Sequence, residues 1–204
     1  MYNLKSKQKK KGFSLPEVII VSALFAIIMV VVMGGVHTMY RQNAYTFAQA
    51  YQVQNARKGV TALVRDIREM TYADNGAFPL RVMDEHKIGF YSDIDRDDSV
   101  EYVSYELVAS TTLYKYVYEA TGTPATYDLN NPDTTSIVSA YVQNLIQGES
   151  TFQYYDASGT EVISADNLTD VRYVEVKSIV NIDPVRDPGQ YMLRSSATLR
   201  NIRD

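Results

Sequence analysis

The chain has 204 residues and no cysteine, which excludes a disulfide bond and a thiolate metal site. Its net charge of −4 is unevenly distributed: residues 1–12 contain five lysines and no acidic residue, so the remainder carries −9. This acidic bulk argues against nucleic acid as the main partner, because phosphate binding requires a basic face. Beyond an N-terminal leader and apolar segment of about 40 residues, about 160 remain, enough for one domain with a core.

The N-terminal segment combines a basic stretch, a glycine and a long apolar run. Five lysines between residues 5 and 11 precede Gly12, and the chain then stays apolar to Val36 except for Ser14, Glu17 and Ser22. The last 19 residues of this run would form a helix of roughly 28 Å, about the thickness of a hydrocarbon core. Since basic residues mark the cytoplasmic side of a span, we predict a single membrane span with the N-terminus inside and the bulk of the chain outside.

Three interpretations of this segment compete. A cleaved secretory signal would have a shorter apolar core and a small-x-small cleavage site, which the residues His37–Arg41 do not provide. A plain single-span anchor explains the lysines and the apolar run. It does not explain Gly12 directly before Phe13, or the carboxylate of Glu17, which would cost at least ~2.5 kcal/mol at the bilayer centre and less near an interface.

The third interpretation rests on a resemblance to a known family. The sequence KGFSLPEV at Lys11–Val18 resembles the processing site of type IV pilins and type II secretion pseudopilins. The resemblance implies that prepilin peptidase cuts between Gly12 and Phe13 and methylates the new terminal amine of Phe13. It also implies that Glu17, at the fifth mature position, pairs with the terminal ammonium of a neighbouring subunit and enforces axial register. Such a pair is stronger in a low-dielectric environment than in water.

Two adjacent glycines, Gly34 and Gly35, lie near the end of the apolar run. Glycine weakens a helix by ~1 kcal/mol per residue, and the resemblance implies a helix that loosens near this depth on entering a filament. Small residues also allow close packing of membrane helices. The sequence leaves both explanations open.

Hydrophobic periodicity predicts one long helix from Pro16 to Tyr72, ended by Asp74–Gly76 with the glycine available for a left-handed cap. Its second half is expected to pack on a globular domain through apolar residues spaced three, four and seven apart, with charged residues between them. The apolar residues are Phe47, Tyr51, Val60, Leu63, Val64, Ile67 and Met70, and the charged ones are Arg57, Lys58, Arg65, Asp66, Arg68 and Glu69.

After residue 76 the spacing of apolar residues changes from a period of about 3.6 to a period of 2, which predicts strands. They are expected at Lys87–Ser92, Val100–Val108, Leu113–Tyr118, Phe152–Tyr155, Val171–Ile182 and Tyr191–Leu199, with a polar loop at Thr121–Thr135 and an ambiguous helix or strand at Ile137–Ile146. A long N-terminal helix followed by an antiparallel sheet is an α+β fold, as the resemblance also implies. The predicted organisation is a leader at 1–12, a membrane or filament-core helix at 13–36, an amphipathic continuation at 37–72 and a β-rich head at 73–204.

The body of the chain resembles a subtype of the same family, the minor pilins and pseudopilins of the J/W type. The sequences that carry this resemblance are ALVRDIREM, IGFYSDIDRDDSVEYVSYEL, TLYKYVYEATG, FQYYDASG and the terminal TLRN at 198–201.

An acidic turn between two predicted strands is the candidate metal site. Alternating carboxylates such as those of Asp93, Asp95 and Asp97 converge on Ca²⁺ in D-x-D-x-D loops. The match to a helix-loop-helix calcium site is poor, because the sixth position is Asp98 rather than glycine and the twelfth is Ser104 rather than glutamate. A solvated acidic turn is the alternative. We expect Glu85 or Glu101 to complete a site only if the fold brings one of them near.

No catalytic motif accompanies these features. The two histidines, His37 and His86, lie in different segments, and no glycine-rich phosphate loop or nucleophile motif occurs. We therefore predict no enzymatic activity and no cofactor other than Ca²⁺ at the acidic turn. The resemblance implies a structural subunit of a filament at the cell surface, with prepilin peptidase, other minor and major pilins and an assembly platform as partners. The alternative is a membrane-anchored adhesin or binding protein that never enters a filament.

Overall fold

The computed structural model describes residues 12–108, 111–163, 165–186 and 189–199. The chain divides into two compact units, Met1–Thr46 and Phe47–Asp204. The lysines of the predicted leader lie outside the described residues, as do Arg200 and Asn201 of the terminal TLRN sequence.

The first unit is helical from Leu15, the first residue of helix α1 (Leu15–Arg68). This helix contains a window apolar and long enough to cross a membrane, and none of that window is buried. The helix runs without interruption through Gly34 and Gly35, where an added Cβ would meet no atom within 4 Å. The face that carries the two glycines is therefore open to close approach by another helix.

Helix α1 ends at Arg68, four residues before the predicted end at Tyr72. The reason is that the chain leaves the helix to join the sheet: Met70 pairs with Ser92, and the Thr71 amide donates to the Tyr91 carbonyl at 2.9 Å. Gly76 does take a left-handed conformation, with φ of +80°. It does so in a turn after the helix, where its amide donates to the Ala73 carbonyl, and not as the predicted helix cap.

The second unit contains two antiparallel sheets, which confirms the predicted α+β class. The larger sheet has the order β1-β2-β3-β4-β5, so each strand pairs with its neighbour in the chain, and the smaller has the order β6-β7-β8. The strands are β1 (Leu80–Met83), β2 (Lys87–Ser92), β3 (Glu101–Val108), β4 (Thr112–Tyr118), β5 (Thr134–Ser139), β6 (Phe152–Tyr155), β7 (Tyr173–Val180) and β8 (Tyr191–Thr198).

Strands β2, β3, β4, β6, β7 and β8 occupy segments predicted as strands, with ends that differ by up to two residues. Strand β1 and a short 3-10 helix at Ala165–Asp170 were not predicted. The ambiguous segment Ile137–Ile146 resolves into both alternatives: the end of β5 and the start of a one-turn helix, α2 (Asn144–Gln147). The side chain of Asn144 fixes α2 to β7, accepting from the Ile179 amide at 2.9 Å and donating to the Lys177 carbonyl at 3.0 Å.

The core of the second unit lies between the last turns of α1 and the two sheets. Val60, Leu63, Val64, Ile67 and Met70 are buried in one cluster with residues of both sheets, as the periodicity predicted. Phe47 and Tyr51 were assigned to the same packing face, and that assignment is wrong, because they are 76% and 62% exposed.

Asp66, one of the charged residues between the apolar positions of α1, does not face solvent. Its carboxylate is buried and accepts hydrogen bonds from the Tyr105 hydroxyl at 2.7 Å and from the Lys115 ammonium at 2.6 Å. Arg65 lies 3.2 Å from its second oxygen. Burial, followed by the negative charge of Asp66, raises the pKa of Tyr105, which therefore stays protonated and keeps donating. The fold can bury the charge of Asp66 because each of its carboxylate oxygens has a partner.

Replacing Gly59 by alanine is expected to destabilise the second unit. A Cβ at this position would overlap the carbonyl oxygen of Val138 and lie 2.7 Å from its Cγ1, so strand β5 would have to move. Overpacking of this kind costs about 1–3 kcal/mol, and the better helix propensity of alanine returns only ~1 kcal/mol, so we expect a net loss of up to about 2 kcal/mol. The measurement is thermal unfolding of the full chain in detergent micelles.

Gly35→Ala is the matched control, because it makes the same change in the same helix at a position with open space. We expect no loss of stability there. Equal stability of the Gly59 and Gly35 variants would contradict the close approach of β5 to α1.

Candidate functional sites: the N-terminal junction and the acidic turn

The predicted cleavage point lies on exposed, non-helical backbone immediately before α1. Gly12 and Phe13 are both exposed, and an added Cβ at Gly12 would meet no atom within 4 Å. A protease requires an accessible backbone outside regular secondary structure at the bond that it cuts. The bond between Gly12 and Phe13 meets that requirement.

Glu17 lies in the first turn of α1, where the positive end of the helix dipole stabilises its negative charge. Its Oε2 atom accepts a hydrogen bond of 3.4 Å from the backbone amide of Ser14, the residue that precedes the helix. The sequence Ser14-Leu15-Pro16-Glu17 has the spacing of a capping box, S-x-x-E. Sequence reasoning missed this contact, although the spacing was available to find it. Glu17 therefore has a role within its own helix in addition to the one implied by the resemblance.

The acidic turn connects β2 to β3. Ser92 and Glu101 form the last pair of the two strands, and the residues between them make the loop. Backbone amides hold its carboxylates in place: Arg96 donates to Asp93 at 2.6 Å and Ser99 donates to Asp97 at 2.9 Å. The side chain of Arg96 pairs with Glu69 at 3.4 Å.

The fold brings the three predicted metal-ligating aspartates together and adds a glutamate. One carboxylate oxygen from each of Asp93, Asp95, Asp97 and Glu101 lies within 4.8 Å of the others. Glu101 is thus the residue that the fold supplies, whereas Glu85 is not a member of this group. Sequence reasoning could name Glu101 only conditionally, because the pairing of β2 with β3 decides which acid approaches the turn.

The carboxyl group of Glu101 is buried, unlike the exposed groups of Asp95 and Asp97. Its Oε2 atom accepts from the Ile94 amide at 2.8 Å, whereas its Oε1 atom is buried with no hydrogen-bond partner in the described part of the chain. Burial, and then the charges of Asp95 and Glu119, raise the pKa of Glu101 to about 7. Burial, followed by Asp95, Asp133 and Asp97, also raises the pKa of Glu119.

Three tyrosines of the larger sheet are part of a packed cluster. Tyr91, Tyr102 and Tyr118 are buried in a second small cluster, with ring centroids 5.4 and 5.5 Å apart in successive pairs. His86 likewise has a structural contact, since its Nδ1 lies 3.1 Å from the hydroxyl of Thr151.

Comparison with known proteins identifies the N-terminal segment. Residues 7–33 match the family model described as the prokaryotic N-terminal methylation motif. The match includes Gly12, Phe13 and Glu17 and ends within the apolar part of α1. No curated protein matches the chain.

The motif and the fold together define a class of protein: a precursor with a processed N-terminus and a long apolar helix that precedes an α+β body. Within that class, the motif is the type IV pilin signature, which indicates a type IV pilin-like precursor of the kind that prepilin peptidase processes. The resemblance of the N-terminal segment to this signature is confirmed.

Proposed function

We propose that this chain is a minor pilin or pseudopilin, a structural subunit without enzymatic activity. It is cut after Gly12, methylated on Phe13, and assembled into a type IV pilus, a competence pilus or a type II secretion pseudopilus, or primes its tip. Its partners are prepilin peptidase, other minor and major pilins and the assembly platform. It starts in the cytoplasmic membrane with the N-terminus inside, and its acidic head faces outward.

The observation that carries this proposal is the junction itself. An exposed Gly12–Phe13 bond directly precedes a helix whose large apolar side chains are all at least 45% exposed from Phe13 to Val36. Lipid can cover this surface before assembly, and neighbouring helices can cover it afterwards. Phe47 and Tyr51, in the part of α1 that belongs to the second unit, are exposed as well. Such exposed apolar residues are typical of protein–protein contacts.

The first test is the mature N-terminus, determined by mass spectrometry of the full chain from its native membrane. We expect it to begin at Phe13 and to carry one added methyl group. Gly12→Leu should abolish cleavage, because a bulky side chain blocks the backbone at the cut. Gly35→Leu is the control and should leave cleavage intact, since it adds the same bulk within the apolar helix.

The alternative function gives a different result in the same experiment. A plain membrane-anchored adhesin or binding protein retains its lysines, so its N-terminus would be Met1 or Tyr2. That result, or a Phe13 terminus that persists in Gly12→Leu, would overturn the proposal.

A further inference from the structure

We propose that the turn between β2 and β3 is a Ca²⁺ site in which Asp93, Asp95 and Asp97 bind together with the buried carboxylate of Glu101. Acidic turns are common on protein surfaces and do not by themselves indicate a bound ion. The second observation is the buried Oε1 atom of Glu101, which has no hydrogen-bond partner among the described residues. This oxygen belongs to a carboxylate that already lies among the three aspartates.

A buried, unpaired carboxylate oxygen is energetically costly, and natural proteins rarely leave one unsatisfied. The nearby groups do not remove the cost. Arg96, the cation within the turn, pairs with Glu69, and the Ile94 amide satisfies only Oε2 of Glu101. Glu119 and Asp133 add further negative charge to the same neighbourhood. A divalent cation would satisfy the free oxygen and offset two of the negative charges of the turn.

The geometry fits the size of Ca²⁺. Its oxygen ligands lie at 2.3–2.6 Å, so two ligands on opposite sides of the ion are about 4.6–5.2 Å apart. The four oxygens of the turn lie within 4.8 Å of one another. The exposed positions of Asp95 and Asp97 leave room for the waters that complete a calcium coordination sphere of six to eight oxygens.

The fold gives this site a structural consequence. Asp93, Asp95 and Asp97 belong to the loop, whereas Glu101 is the first residue of β3 and is fixed by its pairing with Ser92. A bound ion would therefore join the exposed loop to the buried end of the sheet. Calcium should order the turn and stabilise the second unit, and this effect does not depend on whether the chain enters a filament.

The test is calcium binding by the full-length chain in detergent micelles after chelator treatment. Isothermal titration with CaCl₂ alone should show one site per chain, and the thermal midpoint of unfolding should rise with calcium. We expect Glu101→Gln to weaken binding at least about tenfold, the loss that corresponds to about 1.4 kcal/mol. Glutamine retains an oxygen for the Ile94 amide, so the substitution removes the charge with little change in shape.

Asp95→Asn is the second variant, because Asp95 is exposed and its substitution does not threaten folding. It should weaken binding by a comparable factor. Asp170→Asn, at an exposed acid of the 3-10 helix outside the group, should bind calcium as the unmodified chain does. The proposal is overturned if the unmodified chain shows neither calcium-dependent heat nor a shift in midpoint. Unchanged binding in Glu101→Gln would remove Glu101 from the site, and equal affinity for MgCl₂ would exclude Ca²⁺ as its specific occupant.

Discussion

Glu17→Gln is expected to yield a chain that is still cut after Gly12 but no longer enters the filament. The substitution separates the two roles of Glu17. Glutamine at this position retains a side-chain oxygen for the Ser14 amide, because a capping box accepts either glutamate or glutamine. What glutamine lacks is the negative charge that would pair with the terminal ammonium of a neighbouring Phe13. If assembly depends on the negative charge, the Glu17→Gln chain will fail to enter the filament even though its helix is still capped.

The size of the effect follows from the environment of the pair. Breaking an ion pair that is removed from water leaves the remaining charge without compensation, at a cost of several kcal/mol. We therefore expect incorporation to fall by at least about tenfold. The measurement compares the amount of the chain in sheared filaments with the amount in the membrane, and mass spectrometry of the membrane fraction confirms the Phe13 terminus.

Two further variants complete the Glu17 experiment. Glu17→Val removes the cap together with the charge and should abolish incorporation. Ser22→Ala is the matched control: Ser22 is also a polar residue of the apolar run, but it carries no charge, and its hydroxyl donates to the Ile19 carbonyl one turn back. Normal incorporation of Glu17→Gln beside a defect in Glu17→Val would assign Glu17 to helix capping and contradict an intersubunit ion pair.

The parts of the fold that the sequence predicts well are those governed by local rules. The long apolar helix follows from a run that is apolar except for three residues, and six of the eight strands in the described residues follow from alternating side chains bounded by turn residues. Strand β1 was missed because it has only four residues, and its regular pairing with β2 is interrupted between Leu80 and Val82. Nothing in four residues distinguishes such a strand from a loop.

The errors in the sequence analysis arise where tertiary contacts override periodicity. Phe47 and Tyr51 follow the apolar spacing of α1 and yet are exposed, because helical spacing says which residues share a face but not where along the helix packing begins. The group at the acidic turn shows the same limit. Three aspartates are visible in one stretch of sequence, but only the register of β2 against β3 brings Glu101 to them.

Asp66 is the clearest case of a tertiary contact that reverses a local rule, and its replacement should produce the largest loss of stability. Asp66→Leu would leave the ammonium of Lys115 and the hydroxyl of Tyr105 without their shared acceptor in the interior. Breaking a buried pair in this way costs 3–5 kcal/mol. Since the Lys115 side chain is still 19% exposed, we expect about 3 kcal/mol, or a fall in unfolding midpoint of about 6–12 °C for a unit of this size. The measurement is thermal unfolding of the full chain in detergent, with circular dichroism as the signal.

The double substitution Asp66→Leu with Lys115→Met distinguishes the ion pair from packing. Replacing both charges by apolar groups of similar size is often neutral or stabilising, because the desolvation cost of the two ions is removed as well. We therefore expect the double variant to be more stable than Asp66→Leu alone, with the Tyr105 hydroxyl accounting for the loss that remains. Asp170→Leu is the exposed control and should stay within about 0.5 kcal/mol of the unmodified chain. If Lys115→Met gave no recovery in the Asp66→Leu background, the loss would come from packing at position 66 and not from the uncompensated ammonium.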